Sequence, residues 1–592
     1  MSSPAAAPAT KVDIGPVPLD YLPGLKQNAK FDIVAGFILF LIALPLSLAI
    51  ALASGVPAVA GVLTAMVGGM IGGMLGGSYV TINGPAAGLI VIVLGAVAEL
   101  GALNPGDPLA GYKYMLAVGV AMGVIQVILG LIKAGPMTNV FPFSVVEGMV
   151  AGIGIIIMAK QIHVVLGVKA TGSMLAVIAA IPSSFANMAP HAAALGAIAM
   201  AIMIIWPKFP KLAKIIPAPL AIMMITIPLA ASFGMDADGK PLVKLVSVPL
   251  NFVDSFAFPD FSKILDPISI KYILTFVIVG SLESLLTASA IEKKDPWKRR
   301  NNMNREFWSK GVANSVSCGI GGIPMIAEVV RSSTNVMVGA RTRWSNFFHG
   351  FFMLAFVAGL PWLLNMIPLS ALAGMLVVIG FRLAHPKIFA HIAHTGTDEL
   401  IFMVGTVIGV VLVDLLVGVF FGMWLSIGLN AIRAGSQNKF GSAGLFLAVH
   451  IGFLAGVAYF HWVAHNELFS IACMMVSVVV GIMGFKTVYE VKASGDTVTV
   501  SFSGPAVYTS LIGVRSMMDK LPGGKKVVFD FSKAGLVDHT VREKINDFSE
   551  EYARETRGTV TVTGLEQHTP TAHHDLSSMI RVIDKSWATD KK

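Results

Sequence analysis

Charge is scarce in this chain. Asp, Glu, Lys and Arg make up 13% of its 592 residues against 55% hydrophobic ones, and the mean hydropathy is +0.75. No soluble domain of this length has so little polar material, which excludes a wholly soluble protein. Cysteine is nearly absent: Cys318 and Cys473 both lie in apolar segments, so a disulfide framework is excluded. The apolar runs are continuous rather than alternating with a period of two, which excludes a membrane β-barrel. No nucleophile–base pair and no metal-ligand spacing stands out, so hydrolytic enzyme activity is not expected, nor is a resident metal or cofactor. Residues 1–30 are rich in Ala, Pro and Ser, contain Lys11, Lys26 and Lys30, and precede a full-length apolar span. They read as a cytoplasmic tail and not as a cleaved signal peptide.

What the chain has instead is apolar length. A spanning helix takes about 20 mostly apolar residues. Fourteen spans are expected, seven of them near 31–53, 56–76, 79–98, 112–133, 144–166, 190–207 and 215–233. The other seven fall near 271–292, 309–321, 325–338, 347–364, 368–384, 398–416 and 417–434, and two further hydrophobic segments at 443–463 and 468–486 occupy the stretch 435–487. The fold class is therefore a polytopic α-helical membrane protein. Positive charge sorts to one side: Lys208, Lys211 and Lys214 follow span 6, Lys293, Lys294, Lys298, Arg299, Arg300 and Arg305 follow span 8, and Arg341 and Arg343 follow span 10. Arg382 and Lys387 follow span 12, whereas Asp236, Asp238, Asp254, Asp260 and Asp266 lie on the other side, between spans 7 and 8. Both termini are then cytoplasmic. The formal net charge of +9 reflects basic loops facing anionic membrane lipid, with no nucleic-acid partner.

After about residue 488 the pattern changes. VTVSF, KVVFDF and TVTVTG read as strands, and YTSLIGVRSMMDKL and TVREKINDFSEEYAR read as amphipathic helices. Residues 488–592 thus form a cytoplasmic α/β domain and a tail.

Two segments are interrupted where an unbroken span would be normal. GGSYVTINGPAAGLIVIVLGAV (76–97) and GIGGIPMIAEVVRSSTNVMVGARTR (319–343) combine glycine and proline turns with short apolar helices. Two such interruptions in corresponding halves of a membrane protein point to a binding site near the bilayer midplane.

The chain resembles the SulP (sulfate permease) anion transporters that end in a STAS domain. The likeness covers roughly 30–434 and 488–565 and rests on FDIVAGFILFLIALPLSLAIALASG (31–55), GGSYVTINGPAAGL (76–89), GSLESLLTA (280–288) and IPMIAEVVRSSTNVMVGARTR (323–343). The resemblance implies two inverted seven-span repeats, a core domain moving against a gate domain, and an anion site between the facing helix N-termini of spans 3 and 10. A helix N-terminus offers free N–H groups and about half a positive charge, which attracts an anion without a full cation. Gly84, Pro85, Ala86 and Ala87 are assigned to the first pole, with Pro85 in the opening turn, where a missing N–H is harmless. Ala327, Glu328 and Val329 are assigned to the second. Close helix packing by small residues is the alternative.

Glu283 and Thr287 lie one turn apart on span 8. An intramembrane carboxylate is costly unless it is paired, so it is a functional candidate, and the family associates the matching position with cation coupling. Glu283 and Thr287 would hold Na⁺, or Glu283 would carry a proton; a protonated, purely structural glutamate is the alternative. Glu328 stands where many family members have a small residue. Pairing with Arg331, protonation through desolvation, or help in binding the coupling cation would each reconcile it with an anion site. Arg331 is then either its counter-ion or a direct anion ligand. Asp414 is read as an interface residue, Glu147 and Lys160 as interfacial, His163 as a minor proton-relay candidate, and His568, His573 and His574 as a weak metal candidate.

In the terminal domain His539 replaces the serine that related domains phosphorylate after Asp538, although Thr540 is adjacent. Dimerisation or a cytoplasmic regulator is the expected role, and the added segments at 443–486 would pack at a dimer interface. The runs LPLSLAIA, IIIMAKQIHVVLG and PMIAEVVRSS resemble a bacterial branch linked with inorganic carbon, which favours bicarbonate over sulfate or a C4-dicarboxylate. A nucleobase permease of this fold or a passive channel remains the rival.

Overall fold

The computed structural model describes residues 16–581 apart from 136–140, 170, 235–240, 436–451, 453–455, 457–466, 485–488, 519 and 573. Each of the fourteen expected spans corresponds to one helix. The first half comprises α1 (Tyr21–Ala53), α2 (Ala58–Val67), α3 (Ala87–Gly101), α4 (Ala110–Leu131), α5 (Phe143–Val165), α6 (Pro190–Ile205) and α7 (Ala218–Ser232). The second comprises α8 (Pro267–Lys294), α9 (Met303–Gly319), α10 (Val329–Met337), α11 (Trp344–Gly359), α12 (Leu369–Leu383), α13 (Thr397–Leu412) and α14 (Leu415–Gly435). Span 9 starts earlier than its hydropathy indicates, because Asn302 accepts the Arg305 N–H at 2.9 Å and sets a polar first turn. Among the described residues seven helices are long and apolar enough to cross a membrane unaided.

The packing repeats when helix n is exchanged for n+7. Helix α4 lies on α8 and α9, and correspondingly α11 lies on α1 and α2. Helices α1–α4 pack with α8–α11 as one body, and α5–α7 pack with α12–α14 as a second. The chain is thus a 7+7 inverted-repeat helical membrane fold. At its centre the two interrupted segments meet as a two-residue antiparallel ladder of β1 (Asn83–Gly84) and β2 (Ile326–Ala327), with Asn83 opposite Ala327 and Gly84 opposite Ile326.

The added segment at 443–463 falls almost entirely outside the described residues. The second is α15 (Glu467–Gly484), which packs against α14. The terminal domain holds β3 (Tyr489–Ser494), β4 (Thr497–Phe502), α16 (Leu511–Met518), β5 (Lys526–Asp530), β6 (Leu536–Val537), α17 (His539–Thr556), β7 (Thr559–Thr563), β8 (His568–Pro570) and β9 (Met579–Arg581). The sheet order is β3-β4-β5-β7, with β4, β5 and β7 parallel and α16 and α17 as the crossovers. Strand β3 was not expected. Its residues YEVKAS are nearly all exposed, so burial leaves no alternation to read, and pairing with β4 alone holds the strand. The domain sits against the basic loops: Lys293 Nζ lies 2.7 Å from Asp547 and Arg300 Nε lies 3.4 Å from Glu551, both acids on α17.

Candidate functional site

Breaking two helices in mid-membrane leaves backbone groups that lipid cannot satisfy, at several kcal/mol each. Polar side chains on neighbouring helices take them up. Thr64 Oγ1 on α2 accepts the Ile323 N–H at 2.7 Å, and Asn314 Oδ1 on α9 accepts the Met325 N–H at 2.7 Å. Asn314 donates to Gln126 Oε1 at 2.9 Å, and Gln126 donates to Ser281 Oγ at 3.0 Å, so α9, α4 and α8 are tied into one buried chain. Ser284 Oγ accepts the Ala327 N–H at 3.3 Å and Ser332 Oγ accepts the Ile82 N–H at 2.8 Å. The Glu328 N–H donates to Ile82 O at 3.0 Å, extending the ladder by one bond. Gly321 turns the chain with φ 100°, a left-handed conformation that favours glycine.

The charged groups lie around this crossing. Glu283 on α8 abuts the first turn of α3, where a methyl group added to Gly88 would collide with both carboxylate oxygens. A carboxylate is therefore already at the positive end of α3. Glu328 is the N-cap residue of α10, but its side chain does not cap the helix. Its Oε2 lies 2.6 Å from Arg331 Nε, and it repels Glu283 electrostatically. Arg331 is only 1% exposed, and beyond this ion pair none of its side-chain nitrogens has a hydrogen-bond partner among the described residues. A Cβ built on Gly84 would lie 3.1 Å from Arg331 Nη1, so the guanidinium packs tightly against the glycine of the ladder. His349 on α11 is fully buried, with both ring nitrogens unpartnered, and lies within electrostatic range of Arg331.

The expected residues thus converge: Gly84 with Arg331, Glu328 with Arg331, Glu283 with the start of α3, and Ala327 with Ser284 beside Glu283. Ala86, Ala87, Ala327 and Thr287 are buried, whereas Val329 is 41% exposed. One placement needs correction. Pro85 is not in the opening turn of α3, because Ala86 is still extended (φ −126°, ψ 149°) and the first turn begins at Ala87. Pro85 ends the ladder strand instead. Ser284, Asn314, Gln126, Thr64 and His349 were missed; the available signal was their polarity within apolar spans.

The lesser candidates have local roles. His163 bridges Ser184 Oγ (2.7 Å) and Val177 O (3.0 Å), Asp414 accepts the Leu416 N–H at 2.8 Å to start α14, and His568 Nε2 bonds Ala534 O at 2.9 Å. Among the described residues, which do not include His573, no group of three or more His, Cys, Asp or Glu could hold a metal ion. Asp538 caps α17 by accepting the Val541 N–H at 2.8 Å, and burial pushes its carboxyl up to about 7. Thr540 is buried, 4% exposed, which removes its hydroxyl from a modifying enzyme in this conformation.

A broken-helix, inverted-repeat membrane protein with charged groups at the crossing is a transporter by architecture. The sulfate permease family matches residues 30–406, and the chain belongs to that family of anion transporters; it is not an enzyme. It is 27% identical over 403 residues to the bicarbonate transporter BicA of Picosynechococcus sp., covering 68% of this chain and 70% of that one. It is equally similar, 27% over 410 residues, to the putative sulfate transporter YvdB of Bacillus subtilis, covering 68% and 73%. Among solved structures, the transmembrane domain of a cyanobacterium bicarbonate transporter BicA superposes with TM-score 0.55 at 23% identity, covering 66% of this chain and 97% of that one. The overall structure of SLC26A9 superposes with TM-score 0.60 at 13% identity, covering 91% and 85%. At these identities the structural likeness speaks for the fold alone.

Proposed function

We propose that this protein is a secondary active transporter of a small inorganic anion, bicarbonate first among the candidates, coupled to Na⁺ or H⁺. The observation that carries the reading is Arg331: a buried guanidinium with unused donors, against the glycine of the ladder. A buried cation without hydrogen bonds costs stability unless a ligand supplies them. An anion held by Arg331, by the extended entry to α3 (Gly84, Pro85, Ala86) with its first-turn residue Ala87, and by the entry to α10 (Ala327, Glu328) with its first residue Val329 would do so. Glu283, Thr287 and Glu328 form the cation side. Two neighbouring carboxylates repel an incoming anion until Na⁺ or a proton neutralises them, which makes cation arrival a condition for anion binding. The body of α1–α4 and α8–α11 then carries both ions past the body of α5–α7 and α12–α14 in an elevator-like movement.

The protein works in the cell inner membrane with both termini cytoplasmic, a reading supported by the terminal domain resting on the basic loops. The STAS-like domain serves homodimer formation or a cytoplasmic regulator. Sulfate is the second reading, favoured by the equal similarity to a relative named as a sulfate transporter.

The test is uptake of labelled bicarbonate, sulfate and fumarate into proteoliposomes under imposed Na⁺ or pH gradients. Bicarbonate accumulation driven by one gradient is expected. Accumulation of sulfate or fumarate alone would reassign the substrate, and flux that no gradient drives uphill would make the protein an uncoupled exchanger or channel.

A further inference from the structure

Away from the ladder, a cavity of about 330 Å³ opens between the end of α1 and the elements packed against it: the end of α5, the start of α6 and the start of α12. It lies at the opposite end of the molecule from the basic loops. Its size is at the low end of the range for small-molecule sites. Only four of its eighteen lining residues are polar, so a small hydrated anion would lose its water there without compensation. The four are informative. Ser370 is 2% exposed and its Oγ has no partner among the described residues. Gln161 is 7% exposed. Lys169 and Lys244 are exposed residues of the lining, and neither has a carboxylate partner among the described residues. Two cations without a carboxylate partner among the described residues also run against the charge pattern of the chain, which gathers basic residues at the other end.

We infer that this cavity binds an amphipathic organic monoanion, a short aliphatic carboxylate of octanoate size. Its carboxylate sits at Lys169 and Lys244, and its chain lies on Leu52, Leu372 and Leu376, near the orphaned Ser370 hydroxyl. Charge complementarity selects the head group and the apolar wall selects the tail. A ligand of about ten heavy atoms in such a site binds weakly, on the order of millimolar. The consequence for transport rests on the core-against-gate reading. The cavity wall from α1 belongs to one body and the walls from α5, α6 and α12 belong to the other. An occupant would wedge the two bodies together and inhibit uptake without competing with the transported anion.

The test measures binding first, independently of transport. Purified full-length protein in nanodiscs is titrated with labelled octanoate, and octylamine serves as the charge-reversed control. Saturable octanoate binding is expected. It should weaken by about tenfold or more in the double variant Lys169→Gln/Lys244→Gln, through loss of charge-assisted contacts, and octylamine should not compete. Ala373→Phe, which fills the cavity, should abolish binding. If that variant does not fold, the lysine variant, altered only at exposed positions, decides alone. Octanoate binding that is absent, or unchanged in the lysine variant, overturns the inference. In proteoliposomes octanoate should lower the maximal rate and leave the apparent KM of the substrate anion unchanged. If binding holds but inhibition fails, the site stands and the elevator reading falls.

Discussion

Arg331 has two possible duties, counter-ion to Glu328 and ligand for the anion, and a double-variant cycle separates them. Arg331→Met alone strands the Glu328 carboxylate, whose Oε2 is 2.6 Å from Arg331 Nε, in a site where the arginine is 1% exposed. Removing one partner of a buried pair costs about 3–5 kcal/mol. Adding Glu328→Gln removes the stranded charge and should restore most of that stability, read as the thermal midpoint of the detergent-solubilised protein. Transport should behave differently. Hydrogen bonds from a charged donor contribute about 1.5–3 kcal/mol, and about 1.4 kcal/mol corresponds to a tenfold change. The folded double variant should therefore bind its anion about 10- to 150-fold more weakly, measured as apparent KM for uptake. A double variant that regains both the stability and the KM of the unaltered protein would refute the ligand role and leave Arg331 a structural counter-ion.

Gly88→Ala places a methyl group against both Glu283 oxygens; cation-driven uptake should fall at least severalfold. Gly319→Ala, whose new Cβ would meet nothing within 4 Å, should leave uptake intact, and equal effects in the two variants would sink the assignment. Asp538 gives a pH prediction. Burial raises its carboxyl from 3.8 to about 7, so between those values the folded state binds more protons than the unfolded one, and stability falls as pH rises through that window and levels off above it. The span corresponds to at most about 4 kcal/mol. Thermal midpoints at pH 5 and pH 8 should differ less in Asp538→Asn than in the unaltered chain, and an unchanged difference would show that another group carries the dependence.

The helix count was legible because membrane hydropathy needs only length and apolarity, and fourteen spans map onto fourteen helices. The interrupted segments were legible for the opposite reason: INGPAAG and GGIPMIAE contain turn residues where a span should be smooth. The ladder register was not. Pairing Asn83 with Ala327 depends on two segments more than two hundred residues apart, and no local pattern encodes it. Pro85 was misplaced by two residues because proline suits both a helix start and the end of an extended segment, and only the extended conformation of Ala86 distinguishes them. Thr64, Asn314 and Gln126 are polar residues within apolar helices, and their role appears only once the broken backbone lies beside them. Strand β3 escaped because an exposed edge strand carries no burial alternation.

In the proposed mechanism the carboxylate at the start of α3 makes anion binding conditional on a cation. Glu283→Gln in proteoliposomes tests it most directly, with downhill anion exchange and gradient-driven accumulation measured on the same preparation. Exchange should persist, because Arg331 and the two helix ends remain, while accumulation under the Na⁺ or pH gradient should be lost. Accumulation at the level of the unaltered protein would contradict it.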